Sequence, residues 1–239
     1  MRPEQLPALE AYLKCAKKEG AGLLELFCGF GKTVLALKVI AELKKKTLVI
    51  VHKSFLMDQW QERIKQFLPS SRVGIIQGEI IDIEDKDIVL GMLQSISMKE
   101  YPHSLFQEFG LTILDEVHHL SAEVFSRALF KIVTQYMLGL SATMKRKDGL
   151  THVFKMFLGD VIYSKEREGS NVLVRAIKYE NSEEEYRKDL FNYRGQIFYA
   201  GMINKLCNFN RRSEFILKVL KNLLEERKGQ QMMILAQNK

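Results

Sequence analysis

The chain has 239 residues, 46% of them hydrophobic and 27% charged, proportions of a globular protein with room for a sizeable core in one large or two smaller domains. Its 36 basic side chains exceed the 29 acidic ones by 7, an excess that suits a polyanionic partner such as nucleic acid as well as plain solubility. No apolar run reaches the roughly 18 residues that span a bilayer, and MRPEQLPALE does not read as a signal peptide, so membrane and secreted readings are set aside. Cys15, Cys28 and Cys207 offer neither a disulfide framework nor a CxxC zinc pattern, which points to a reducing intracellular compartment.

In chain order, residues 4–19 place Leu6, Leu9, Leu13 and Ala16 at helical spacing ahead of Gly20 and Gly22, which predicts an amphipathic helix. GLLELF (22–27) reads as a strand entering a glycine-bearing turn, and TVLALKVIAEL (33–43) as a helix. The alternation recurs: TLVIV (47–51) precedes a helix at 55–67, DIVLG (87–91) precedes MLQSI, and LTILD (111–115) precedes SAEVFSRALFKIV. Continuous Val/Ile/Leu strands separated by helices predict an α/β fold, a parallel sheet covered by helices on both faces. YMLGLS (136–141), a basic turn (MKRKDG) and an amphipathic stretch (LTHVFKMFLG) follow. Charge runs then surround one predicted strand at 172–177, with a long amphipathic helix at 212–227 and a strand at 231–237. A lone helix and strand cannot cover their own sheet edges. The expected organisation is therefore a first domain at 1–163, a linker at 164–210 and the truncated start of a second domain at 211–239 of a longer protein.

Gly29-Phe30-Gly31-Lys32-Thr33 lies between a predicted strand and helix, the context of a phosphate-binding loop. Glycines let the backbone approach phosphates, and the amides at the helix start point at the anion. Lys32 would reach the β and γ phosphates and the Thr33 hydroxyl would hold Mg²⁺. Asp115 and Glu116 end an apolar strand, where a carboxylate is costly unless paired, exposed or bound to metal. In phosphate-loop enzymes the first acid anchors Mg²⁺ and the second orients or deprotonates the attacking water. The bland alternatives are an exposed turn and a solvated acidic strand end. His118 and His119 lack a third ligand at zinc spacing, so no zinc is expected.

GFGKT, DEVH (115–118) and SAT (141–143), in that order and at those intervals, resemble motifs I, II and III of the superfamily 2 helicases and translocases. RPEQ at 2–5 resembles the adenine-reading Q-type motif, VHKSFLMDQW (51–60) resembles motif Ia, and GMLQSIS (91–97) the TxQS-type segment. GLSATMKRKDGL resembles the GLSATPxRxDGL stretch of the branch with the XPB helicase, the phage UvsW helicase and helicases of large DNA viruses. Two positions depart from the pattern: Leu26 stands where motif I usually opens on a small residue, and Met144 where proline usually follows SAT. Neither supplies a catalytic side chain.

The resemblance implies a RecA-like fold and ATP held by Arg2, Gln5, Gly29, Gly31, Lys32 and Thr33, with Gln5 as base reader. It assigns Mg²⁺ to Thr33 and Asp115, the general base to Glu116, and a link between nucleotide and nucleic acid to His118, Ser141 and Thr143. Lys53, Ser54, Gln59, Gln94 and Ser95 would grip the nucleic-acid backbone, DNA in the first place, without reading sequence. Arg146, Lys147 and Asp148 stand where the XPB branch has an Arg-Glu-Asp element tied to strand opening, with Lys147 departing from it. Trp60, at helical spacing with Leu56 and Ile64, reads as core rather than a base-stacking platform. The family's arginine fingers come from a second RecA-like domain, and no QxxGRxxR-like segment is present, so this chain is expected to need that domain of its own protein for activity. The implied location is cytoplasm or nucleus, or a viral factory or virion for a viral source. The leading expectation is an ATP-driven helicase or translocase; a nucleotide-dependent binding or remodelling module and a small-molecule kinase are the alternatives.

Overall fold

Strands that are apolar on both sides can be satisfied only inside a sheet covered twice. The computed structural model, which describes residues 1–102, 104–116, 122–143, 151–167, 169, 173–226, 229 and 231–235, meets that demand in a unit spanning Met1–Gly169. A 3-10 turn at Pro3–Gln5 leads into α1 (Leu6–Glu19), β1 (Ala21–Leu26), α2 (Lys32–Leu43), β2 (Thr47–Val51) and α3 (Ser54–Phe67). β3 (Val73–Gln77), β4 (Ile80–Asp82), β5 (Ile88–Met92), α4 (Leu93–Met98) and α5 (Ser104–Gln107) follow. Next come β6 (Leu111–Leu114), α6 (Ala122–Leu129), β7 (Tyr136–Ser141), α7 (Thr151–Leu158) and β8 (Val161–Lys165). The sheet order among the described residues is β4-β3-β5-β2-β6-β7-β1-β8. Every ladder is parallel except β3 with β4.

Successive residues of each strand feed opposite core layers. Leu24, Leu26, Val49 and Val51 pack with Leu9 and Tyr12 of α1, Leu35 and Val39 of α2, and Leu56, Trp60 and Ile64 of α3. Leu23, Leu48 and Ile50 pack on the other side with Ile96 of α4, Phe106 of α5, Phe125 of α6 and Phe154 of α7. The Phe125 and Phe154 ring centroids are 4.2 Å apart.

Three strands escape the sequence reading. β3 and β4 form a hairpin around Gly78 (φ 60°) and give the sheet one antiparallel edge. β4 is exposed throughout, so it lacks the apolar signature of a buried strand. β8 pairs with β1 through Lys165, two residues beyond the expected boundary at 163. The second unit, Ser170–Lys239, contains α8 (Glu184–Arg187), α9 (Tyr199–Asn208) and α10 (Asn210–Glu226), with Tyr179 and Phe215 5.2 Å apart and Tyr186 and Phe209 5.2 Å apart. The strands expected at 172–177 and 231–237 do not form over residues 173–177 and 231–235. An apolar run becomes a strand only with a ladder partner, and among the described residues none pairs with either.

Gly139 in β7 is a packing requirement. Its position pairs with Leu23, and a Cβ there would collide with Leu23 Cδ2 and lie 2.9 Å from Leu158 Cδ1. Gly139→Val should therefore destabilise the first unit by about 1–3 kcal/mol through overpacking. A lower urea midpoint at unchanged m-value is the expected result.

Candidate functional site

A parallel sheet delivers the carboxyl ends of its strands to one edge, and the loops leaving them meet there. Behind β1 the chain turns through residues 27–31 into α2, with Gly29 at φ 90° and Gly31 at φ 92°. Phe30 is fully buried and anchors the loop from below, edge-on to Phe27 with centroids 5.3 Å apart. The carbonyls of this loop are held by the N-terminal segment. Gln5, almost fully buried, donates from Nε2 to the Phe30 carbonyl (2.8 Å) and the Gly31 carbonyl (3.2 Å), while its Oε1 accepts from the Arg2 backbone N–H (2.8 Å). The Arg2 guanidinium donates to the Gly29 carbonyl (2.8 Å) and to that of Phe30. The Gln5 nitrogen thus braces the loop and its oxygen holds the turn at Arg2; this is the amide to which the family resemblance assigns the adenine. A Cβ on Gly31 would collide with Gln5 Nε2, so glycine at 31 is what admits the brace.

The loop faces a cleft of about 420 Å³ lined by Gly29, Gly31, Lys32 and Thr33 on one side and Asp115 and Glu116 on the other, with Leu56, Gln59 and Arg63 of α3 completing it. Lys32 is the first residue of α2; its buried Nζ lies 3.2 Å from Glu116 Oε1 and donates to the Leu26 carbonyl at 3.3 Å. Asp115 follows β6, tied by its backbone N–H to the Ile50 carbonyl of β2 (3.1 Å). Its carboxylate, 5% exposed, accepts a 2.8 Å hydrogen bond at Oδ2 from the Trp60 indole N–H. Burial raises the Asp115 carboxyl above the ordinary carboxylate range; the Trp60 bond opposes this, the nearby Glu116 charge adds to it, and Lys32 opposes it. Glu116 sits in the left-handed region at φ 54°, a conformation that non-glycine residues adopt at a cost and that often marks a working site.

The adjoining strands carry a second group of predicted residues. Val51 of β2 is opposite Met92 of β5, which sets the starts of α3 and α4 side by side. Gln94 Nε2 donates to the His52 carbonyl across this junction (3.0 Å), and Lys53 and Ser54 are exposed beside it. The Ser95 hydroxyl accepts from the Gly78 N–H (2.9 Å) and so holds the β3–β4 turn. Lys131 fixes the far end of α4 by donating to the carbonyls of Ile96 (3.2 Å) and Lys99 (2.8 Å). Gln59 does not join Lys53 and Ser54: it lines the phosphate-loop cleft with Arg63, a residue the sequence reading did not select. Ser141, at the end of β7, is fully buried and donates from Oγ to the Thr143 carbonyl at 2.6 Å. His118 and the Arg146, Lys147 and Asp148 element lie outside the described residues.

A carboxyl raised by burial is a stability cost in its ionised form. The penalty is absent below the ordinary carboxylate pKa, grows as pH rises towards the elevated value of the folded chain and is complete above it. Asp115→Asn, which keeps an acceptor for Trp60, should therefore raise the melting temperature at neutral pH in metal-free buffer, each kcal/mol appearing as roughly 2–4 °C in a chain of this size. The gain should vanish at acid pH. Melting curves of both proteins across pH 3–8 check it, and an equal or lower midpoint for the variant at pH 7 would contradict the assigned burial cost.

The family model described as "Type III restriction enzyme, res subunit" matches residues 1–146, more than half of the chain. A protein of Acanthamoeba polyphaga mimivirus named as an ATP-dependent RNA helicase is 34% identical over 94% of this chain and 44% of its own length. A DNA 3'-5' translocase of the XPB type from Sulfurisphaera tokodaii is 35% identical over 69% of this chain and 36% of its own. The chain thus spans less than half the length of either relative. The crystal structure of the UvsW helicase of bacteriophage T4 superposes with a TM-score of 0.58 over 68% of this chain and 59% of that one, at 18% identity, a likeness of fold. The mostly parallel sheet flanked by helices is the RecA-like fold of such helicase domains, and the chain belongs to the type III restriction enzyme res-subunit family of superfamily 2 helicases.

Proposed function

We propose that this chain binds ATP with Mg²⁺ in the phosphate-loop cleft and contributes it to a DNA helicase or translocase, in which hydrolysis drives movement along or remodelling of the strand. The observation that carries this reading is the convergence of Lys32, Thr33, Asp115 and Glu116 on one cleft from two separate strand ends. The α2 N-terminus and the buried Lys32 ammonium supply positive potential for the triphosphate. The donors offered to a cation, the Thr33 hydroxyl and the Asp115 carboxylate, are hard oxygens of the type Mg²⁺ takes alongside water and phosphate. Bound there, Mg²⁺ would neutralise charge on the β and γ phosphates. Glu116, set beside Lys32 at 3.2 Å, is the group we assign to take the proton from an attacking water. Arg2 and Gln5 hold the loop carbonyls, so the loop amides are oriented for phosphate before it arrives.

Lys53, Ser54 and Gln94 are the residues we assign to the strand: a cation, a hydroxyl and an amide at neighbouring helix starts suit phosphate contacts that position a backbone without reading bases. The choice of DNA is supported by the name of the archaeal relative; the mimivirus relative carries an RNA name, which makes an RNA competitor the necessary control.

Three outcomes are expected. Lys32→Ala should weaken Mg²⁺-ATP binding at least about tenfold, ~1.4 kcal/mol, with the circular dichroism spectrum retained; unchanged affinity by calorimetry would remove the phosphate-loop assignment. Glu116→Gln, made in the full-length protein with its second RecA-like domain, should keep Mg²⁺-ATP binding and lower DNA-stimulated hydrolysis by about 10²–10⁴, whereas hydrolysis at the unmodified rate would take Glu116 out of the mechanism. DNA affinity should fall linearly on a plot of log K against log salt, and Lys53→Ala should make that slope shallower by about one; a flat plot would count against a phosphate-gripping edge.

A further inference from the structure

Trp60 is the chain's one tryptophan, and packing alone does not account for how it is used. It is 1% exposed and sits on the inner side of α3 with Leu56, Met57 and Ile64, where a phenylalanine would fill most of the same space. What phenylalanine lacks is the indole N–H, a donor with no acceptor function. That donor meets Asp115 Oδ2 at 2.8 Å across 55 residues of sequence. The two are brought together because β2 lies beside β6, with Ile50 opposite Leu114, and α3 leaves the end of β2. A carboxylate has about four lone-pair directions, so one indole N–H fixes its plane and leaves acceptor capacity for metal-bound water.

We propose that Trp60 is a positioning residue of the Mg²⁺ site: its N–H holds the Asp115 carboxylate in the orientation that receives the cation. The proposal rests on the assignment of Asp115 to Mg²⁺ made above. It places Trp60 outside the layer that touches nucleotide or metal, in the layer of hydrogen-bond partners whose loss in metal sites costs about 10- to 100-fold in metal affinity.

The test is the ratio of ADP affinities with Mg²⁺ and with EDTA, measured by calorimetry on the 239-residue chain. Trp60→Phe should reduce that ratio about tenfold or more and leave the affinity in EDTA unchanged, because Lys32 and the loop amides do not depend on the indole. In an Asp115→Asn background, which lowers the ratio by itself, adding Trp60→Phe should change nothing further. Equal losses with and without Mg²⁺, an undiminished ratio, or a loss that persists on top of Asp115→Asn would each overturn the proposal. A full ratio in Asp115→Asn alone would instead overturn the metal-site assignment. Should Trp60→Phe fail to fold, the unmodified chain decides: Mg²⁺ added to the ADP-bound protein should change tryptophan emission, and should not in Asp115→Asn. Emission indifferent to Mg²⁺ in the unmodified chain would sink the positioning role.

Discussion

A carboxylate placed at the end of a strand that is otherwise wholly apolar is expensive, and the arrangement around Asp115 is organised by that expense. Its strand, β6, is buried on every residue, so the strand itself offers the charge no solvation. Relief comes from three groups: the indole of α3 at 2.8 Å, the ammonium at the start of α2 and the backbone N–H of Glu116. Full relief does not follow, since burial still holds its carboxyl above the usual range. A charge kept in a poor environment by surrounding structure can gain when a cation arrives, and that residual cost is one form of preorganisation.

The sheet determines which loops can share that edge. Because β1, β2, β5, β6 and β7 run in one direction, the phosphate loop, the start of α3, the start of α4, the Asp115-Glu116 turn and Ser141 all leave from the same side. β6 and β7 sit between β2 and β1 in the order, so the acidic turn and Ser141 lie between the nucleotide loop and the Lys53-Gln94 junction. Motifs that are far apart in sequence become adjacent through strand order alone, which requires no further contact between them.

Part of this arrangement is legible in the amino-acid sequence. Lys32, Thr33, Asp115 and Glu116 stand out because their chemistry is local: a glycine turn opening a helix and two acids closing an apolar strand. β2 matches the sequence reading over 47–51 because a fully buried strand writes its burial into every residue. What could not be read depends on phase or pairing. Gln59 follows Ser54 by five positions, which at 3.6 residues per turn carries it roughly 140° around α3 and onto the cleft. The use made of Gln5 was hidden because its partners are backbone carbonyls 25 and 26 residues away, and carbonyls have no sequence signature. β8 combines a half-exposed pattern with Ser164 and Lys165, so its membership of the sheet is fixed by β1 rather than by its own composition.

α3 serves both groups of residues at this sheet edge. One helix of 14 residues begins at the exposed Lys53-Ser54 end, turns Leu56, Gln59 and Arg63 onto the nucleotide cleft, and sends Trp60 inward to Asp115. The spacings follow from helical geometry: positions 56, 59 and 63 share one side, while 57, 60 and 64 share the next. Its buried side is packed at Met57, Trp60 and Ile64 against the sheet, and well-packed interiors transmit displacement rather than absorb it. A helix so fixed cannot shift at its Lys53-Ser54 end while leaving its hydrogen bond to the Asp115 carboxylate and its three cleft residues unaltered. The Lys53-Ser54 end, the cleft side chains and Trp60 are thus carried on one packed helix, so a displacement of that end moves the others with it.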